Sequence, residues 1–343
     1  MRYATVSSAI FAILVAALGV FLPCRGQSVP TAEPYTVVHG WPEFPDFATG
    51  QISGVAVDSH DQVFVFSRRE NSVLAMPAPQ WQSVAGVQAR SIASAPVMVF
   101  AGRSGKLVSS WGEGQFVLPH GLAIDRADHV WVTDIALHQV FEFSPDGKLL
   151  LTLGARQVPG NDLAHFNGPT GVAFGPDGSV YISDGYGNSR VLKFSPQGKF
   201  LLQWGSKGSA PGEFNVVHAV AVDQQGQVYV ADRDNARIQV FDGSGRFLRE
   251  WHNEQLGKPW GVAVGPDNLI YTVYGGNADA SKPDGPEAIV KSDRNGKLLA
   301  RWSGFGNYDG QIVWGHDIAV GRDGAVYVGD VYHGMRIQKF LPR

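Results

Sequence analysis

Three histidines stand in the same local text. "VLPHGLAI" holds His120, "NVVHAVAV" holds His218 and "VWGHDIAV" holds His316. Each opens an alternating apolar run, and 98 residues separate each from the next. Imidazole is a good ligand for divalent metals, and three imidazoles with an open position suit a catalytic Zn²⁺. The chemistry depends on whether the fold brings the three together.

An internal repeat supplies that fold. Five segments align with one another, the first being "HGLAIDRADHVWVTDIALHQVFEFSPDGKLLLTLG", and "SGVAVDSHDQVFVFSRRENSVLAM" is a degenerate earlier copy completed after an insertion by "KLVSSWG". Six copies with a period of roughly 40–65 residues lie in the range of propeller blades. Each copy reads as four strands joined by short Gly-containing turns, which are hairpin signals. The expected fold is an all-β, six-bladed β-propeller of NHL-type repeats over residues 28–343. The last copy stops at "RIQKFLPR" without its fourth strand. "YTVVHGW" at Tyr35–Trp41 is β-rich, and we expect it to supply the missing outer strand and close the ring.

In such a ring the entry to the innermost strand and the loop after the second strand share one face. The position just before the innermost strand holds Ser53, His120, Thr170, His218, Trp260 and His316. Histidine occupies alternate blades, about 120° apart around the channel. On composition, three such coincidences have a probability on the order of 10⁻⁴ to 10⁻⁵. The neutral alternative, three hydrogen-bonded loop residues, is therefore the weaker reading. On the same face, Asp134, Asp184, Asp232 and Asp330 recur from blade to blade, as do Arg190, Arg237 and Arg336, and this marks structural work. Arg68, Tyr186 and Arg233 do not recur and are better functional candidates. Two arginines beside a metal suit an anionic substrate, because guanidinium clamps a carboxylate in two places.

The whole of residues 35–340 resembles the lyase half of peptidylglycine α-amidating monooxygenase, the peptidyl-α-hydroxyglycine α-amidating lyase family. "LPHGLAID…VWVTDIALHQVF", "ISDGYGNSR", "VADRDNARIQVF" and "GHDIAV" carry the resemblance. It implies a zinc held by His120, His218 and His316. It implies a structural Ca²⁺ held by the backbone of Val55 and Leu122 and by Asp317. It also implies a catalytic Tyr186 assisted by Arg68 and Arg233, and cleavage of the N–Cα bond of a peptidyl- or N-acyl-α-hydroxyglycine to an amide and glyoxylate. The chain departs from the family in three respects. Gly187, Tyr229 and Val240 stand where the family has cysteines, Trp314 replaces a site-lining methionine, and blade 5 carries a Gly-rich insertion at Gly275–Glu287. The alternatives are a non-catalytic propeller that binds a partner through its top face, and a Ca²⁺-dependent lactonase. The second would build its site from carboxylates, where the ring positions here hold histidine.

The 343 residues carry a net charge of −3 without a basic run, so no nucleic-acid partner is expected. "MRY" followed by the uncharged run Ala9–Leu22 reads as a signal peptide over residues 1–27. A secreted or periplasmic monomer, free of the membrane after cleavage, is expected. Retention as an anchor and lipidation at Cys24 are the alternatives, though Pro23 fits a lipidation site poorly. Cys24 is the only cysteine, so the propeller has no disulfide and relies on packing.

Overall fold

The computed structural model describes residues 34–43, 50–72, 90–252, 256–275, 287–332 and 334–343. The expected signal segment and Cys24 lie outside these residues, as do positions 276–286 of the blade-5 insertion. Six antiparallel four-stranded sheets form the blades of a propeller. Five blades are built from consecutive strands. The sixth takes its outer strand from the other end of the chain, where Tyr35–Val37 pairs antiparallel with Ile337–Pro342. The expected ring closure is therefore present. Tyr35 is buried, stacks on Trp302 at 4.2 Å and hydrogen-bonds Tyr271 through its hydroxyl.

The burial pattern follows from the stacking of blades. The second strand of each blade is sandwiched on both faces, and "VWVTD", "VYISD" and "VYVAD" are buried at every position. The outermost strands are more open and leave Leu149, Leu150 and Leu201 exposed. In blades 1, 2 and 4 the turn after the innermost strand is closed by an aspartate at its first position. Asp58, Asp125 and Asp223 each accept two backbone N–H bonds from residues two and four positions on.

The innermost strands are Ile52–Val57, Pro119–Ile124, Pro169–Phe174, Val217–Val222, Lys258–Val264 and Gly315–Val320. The six ring positions lie inside these strands, not before them as the sequence suggested. Each falls at a shift in register against the second strand, at the same place in every blade. The shift is a β-bulge. It takes the residue out of the ladder and re-aims its side chain, here toward the axis. In four blades the next residue is glycine, where neighbouring inner strands crowd together. A Cβ on Gly121 would lie 2.4 Å from the Thr170 carbonyl oxygen, and one on Gly54 would lie 2.8 Å from Cβ of Leu122.

Candidate metal centre

The bulges deliver His120, His218 and His316 to one point. All three are buried, their ring centroids lie 4.6–4.8 Å apart, and one ring nitrogen from each falls within 4.8 Å of the others. The other three blades hold the rings in place. His120 Nδ1 lies 2.7 Å from the Thr170 carbonyl, His218 Nδ1 2.7 Å from that of Trp260, and His316 Nδ1 2.8 Å from that of Ser53. A carbonyl can only accept, so each Nδ1 carries the proton and each Nε2 presents a lone pair. This is the arrangement by which proteins fix the tautomer of a ligating histidine. The six ring positions thus alternate around the channel between an imidazole and the carbonyl that orients it.

The Nε2 atoms of His218 and His316 are buried without a hydrogen-bond partner, and such orphaned acceptors are costly. Burial holds all three imidazoles well below the usual histidine range. The charges of Arg68 and Arg233 and the proximity of the rings to one another add to the effect. Three neutral, converging lone pairs, two of them unpartnered, fit a divalent metal. A second cluster, Asp125, His129 and Glu142, is satisfied internally: His129 Nδ1 bonds Glu142 at 2.8 Å and Trp131 Nε1 donates to Asp125.

The loops after the second strands bring the remaining candidates to the triad. Tyr186 follows strand Val180–Asp184, and its hydroxyl lies 3.1 Å from His120 Nε2, to which it donates. Arg233 begins a 3-10 turn, Arg233–Asn235. Its guanidinium lies over the rings of Trp260 at 4.5 Å and Tyr186 at 5.6 Å, and Nε donates to Asp234. Arg68 is 1% exposed. Its Nε donates to the Pro119 carbonyl and one terminal nitrogen to Gln51. Burial lowers its pKa to about 10, while interaction with Tyr186 acts in the opposite direction. Asp234, which also accepts from Lys258, was not anticipated from sequence, nor was Gln51. Neither recurs across blades, and only its place next to Arg233 could have drawn attention to Asp234.

The triad caps a central cavity of about 300 Å³ lined by the inner strands. Val55, Leu122 and Asp317 all line it. The Asp317 carboxylate accepts from the N–H groups of Val55 and Ile318, and desolvation raises its pKa to about 7. Trp314, from the sequence-derived set, stands on the other side of the triad from Tyr186. Its ring is 5.6 Å from Trp260 and stacks on Tyr332 at 4.7 Å.

The recurrent aspartates and arginines are structural, as expected, and they stitch each blade together. Asp134 accepts from the N–H groups of Val117, Leu118, Ala136 and Leu137. Asp232 accepts from the Asn215 N–H and from Arg237. They anchor the segment leading into the innermost strand, and so fix where the histidine emerges.

Fold and site together define an NHL-type propeller with a tri-histidine centre at the mouth of its channel. The NHL repeat model matches residues 166–194 and 214–241. The chain is 36% identical over 318 residues to peptidyl-glycine alpha-amidating monooxygenase B of Xenopus laevis, covering 88% of this chain and 35% of that protein. It is 30% identical over 323 residues to peptidyl-alpha-hydroxyglycine alpha-amidating lyase 2 of Drosophila melanogaster, covering 90% of this chain and 75% of the relative. The chain belongs to the peptidyl-α-hydroxyglycine α-amidating lyase family. It spans about a third of the length of the amidating monooxygenases it matches. Among solved structures, a streptogramin B lyase matches with a TM-score of 0.57 at 13% identity, over 90% of this chain and 98% of that one, a likeness of fold alone.

Proposed function

We propose that this protein is a zinc-dependent lyase that cleaves the N–Cα bond of a peptidyl- or N-acyl-α-hydroxyglycine, releasing an amide and glyoxylate. The observation that carries the reading is the Tyr186 hydroxyl 3.1 Å from a member of the buried histidine triad, flanked by two buried guanidinium groups. Family membership supports the same reaction class. His120, His218 and His316 would hold the metal through Nε2. When bound, a zinc ion supplies Lewis-acid polarisation of a substrate oxygen.

The protein's own residues account for the rest. Arg68 and Arg233 gather positive charge at the triad, with Asp234 as a partial counter-charge on Arg233. The remaining positive field favours a substrate carboxylate over a neutral group. In its phenolate form, with His120 Nε2 turned to the metal, Tyr186 would take the proton from the α-hydroxyl as the C–O bond becomes a carbonyl and the N–Cα bond breaks. The departing amide nitrogen takes up one proton, so the reaction is balanced without water or an oxidant. Farther along the channel, Asp317 with the backbone of Val55 and Leu122 would hold a Ca²⁺. A hard cation would keep the Asp317 carboxylate ionised where burial alone opposes it. The same reading takes residues 1–27 as an export signal and the mature protein as a secreted or periplasmic monomer.

The test is glyoxylate release from N-benzoyl-α-hydroxyglycine by the Zn²⁺- and Ca²⁺-loaded protein, with His218→Ala alongside. Release above the spontaneous rate that is lost in the variant is expected. Absence of release from the loaded wild type would refute the lyase reading and leave a propeller that only binds.

A further inference from the structure

The rim of the triad is divided in two. Blades 1 and 3 bring Arg68 and Tyr186. On the side of blades 5 and 6 stands a continuous aromatic wall. Trp260 packs its ring 4.8 Å from His218 and 5.8 Å from His316. Trp314 follows at 5.6 Å from Trp260, and Tyr332 stacks on Trp314 with the rings 24° apart. Arg233 lies on the Trp260 face, between the two halves.

This wall differs from the other aromatic clusters of the propeller in its backbone. Trp260 is buried, but Trp314 and Tyr332 are only half-buried. Both hold left-handed backbone conformations, with φ of 56° and 57°, which bulky residues rarely adopt. Strain of this kind persists only where the surroundings impose it, and it clusters at ligand sites. At Trp314 the imposing contacts are visible. Its N–H donates to the carboxylate of buried Glu287, and its carbonyl accepts from the Val331 N–H. Two strained residues thus hold a rigid, partly open aromatic face beside the metal centre, where a core would have buried it.

We propose that this wall selects the N-acyl side of the substrate, and that the preferred substrates carry an aromatic group next to the α-hydroxyglycine: an aromatic N-acyl group or an aromatic preceding residue. The inference rests on the lyase reading for the position of the hydroxyglycine. An amphipathic ligand matches the divided rim. Its carboxylate faces the guanidinium groups, and its aromatic group stacks on Trp314 and Tyr332 in offset or edge geometry. Trp314 and Tyr332 are then specificity residues.

The experiment measures binding of N-benzoylglycine and N-acetylglycine, which lack the reacting hydroxyl, to the Zn²⁺-loaded full-length protein by calorimetry. The benzoyl compound is expected to bind about 10-fold tighter, about 1.4 kcal/mol. That ratio should fall below about 3-fold in both Trp314→Met and Tyr332→Leu. Equal binding by the wild type, no binding of either compound, or an undiminished ratio in both variants would overturn the proposal. Glyoxylate release is scored separately. A protein that keeps the aromatic preference yet releases no glyoxylate retains the wall and refutes the reaction. One that releases glyoxylate without the preference retains the reaction and refutes the wall.

Discussion

Replacing His218 by alanine isolates the metal centre from the rest of the propeller. His218 is 2% exposed, its Nδ1 donates to the Trp260 carbonyl, and its Nε2 points unpartnered at the other two rings. A ligand that binds only the native state at 100 times its Kd stabilises by about 2.7 kcal/mol. Unfolding entropy of about 2.1 cal/mol/K per residue over about 300 residues is about 0.6 kcal/mol/K. Saturating Zn²⁺ should therefore raise Tm by about 4 °C in the wild type. The substitution will also lower the metal-free Tm, since it leaves the Trp260 carbonyl without its donor. The quantity to compare is the zinc-induced shift, read by circular dichroism with and without metal. His218→Ala should lose nearly all of it. His252→Ala, at an exposed histidine outside the triad, should keep it. An equal shift in both variants, or no shift in the wild type with Zn²⁺ or any other imidazole-binding divalent metal, would refute the convergence argument.

Tyr186→Phe should lower glyoxylate release by at least about 100-fold, the scale of general acid–base catalysis, while keeping the zinc-induced Tm shift; near-normal turnover would remove Tyr186 as the base. Tyr35→Ala removes the stacked, buried anchor of the closing strand. At about 3–5 kcal/mol for an aromatic truncation it should lower Tm by about 5–8 °C, and an unchanged Tm would mean that the terminal strand does not hold the ring. Asp330 gives a pH signature. Its Arg336 partner is 3.3 Å away, Glu287 adds like charge, and burial raises its pKa to about 8. The folded protein therefore holds a proton that the unfolded chain releases near pH 4. Stability should fall as pH rises from about 4 to 8. The urea midpoint should show this decline in the wild type and a flatter profile in Asp330→Asn.

Much of the site was legible because a repeat turns sequence offset into angle around an axis. His120, His218 and His316 could be placed on one ring without a structure, and the closing strand followed from the strand missing at "RIQKFLPR". The bulges were not legible. Alternation of apolar residues looks the same whether His120 precedes the strand or is displaced from its ladder, and only the register between strands distinguishes the two. The orienting carbonyls were hidden for a related reason. Thr170, Trp260 and Ser53 contribute backbone oxygen, and a backbone group leaves no mark on residue identity. The aromatic wall joins residues from two blades through a left-handed backbone at Trp314, which no local composition signals. The chain carries 9 tryptophans and 10 tyrosines, most naturally read as core, so Tyr332 does not stand out and Trp260 appears only as the blade-5 ring position.

The hydrogen bond from His316 to Ser53 spans 263 residues, nearly the whole propeller. Every histidine leans on the blade that follows it, and for the last blade that neighbour is the first. A chain that has laid down five blades, or whose ends have not met, has no third oriented imidazole to offer. A metal held as proposed would then report complete assembly, since the third ligand is oriented when the first and last blades are in contact. A nascent or nicked molecule would carry two histidines correctly posed and a third free to turn. Under the proposed lyase reading such a molecule would be silent, and completion of the fold would coincide with the onset of the chemistry.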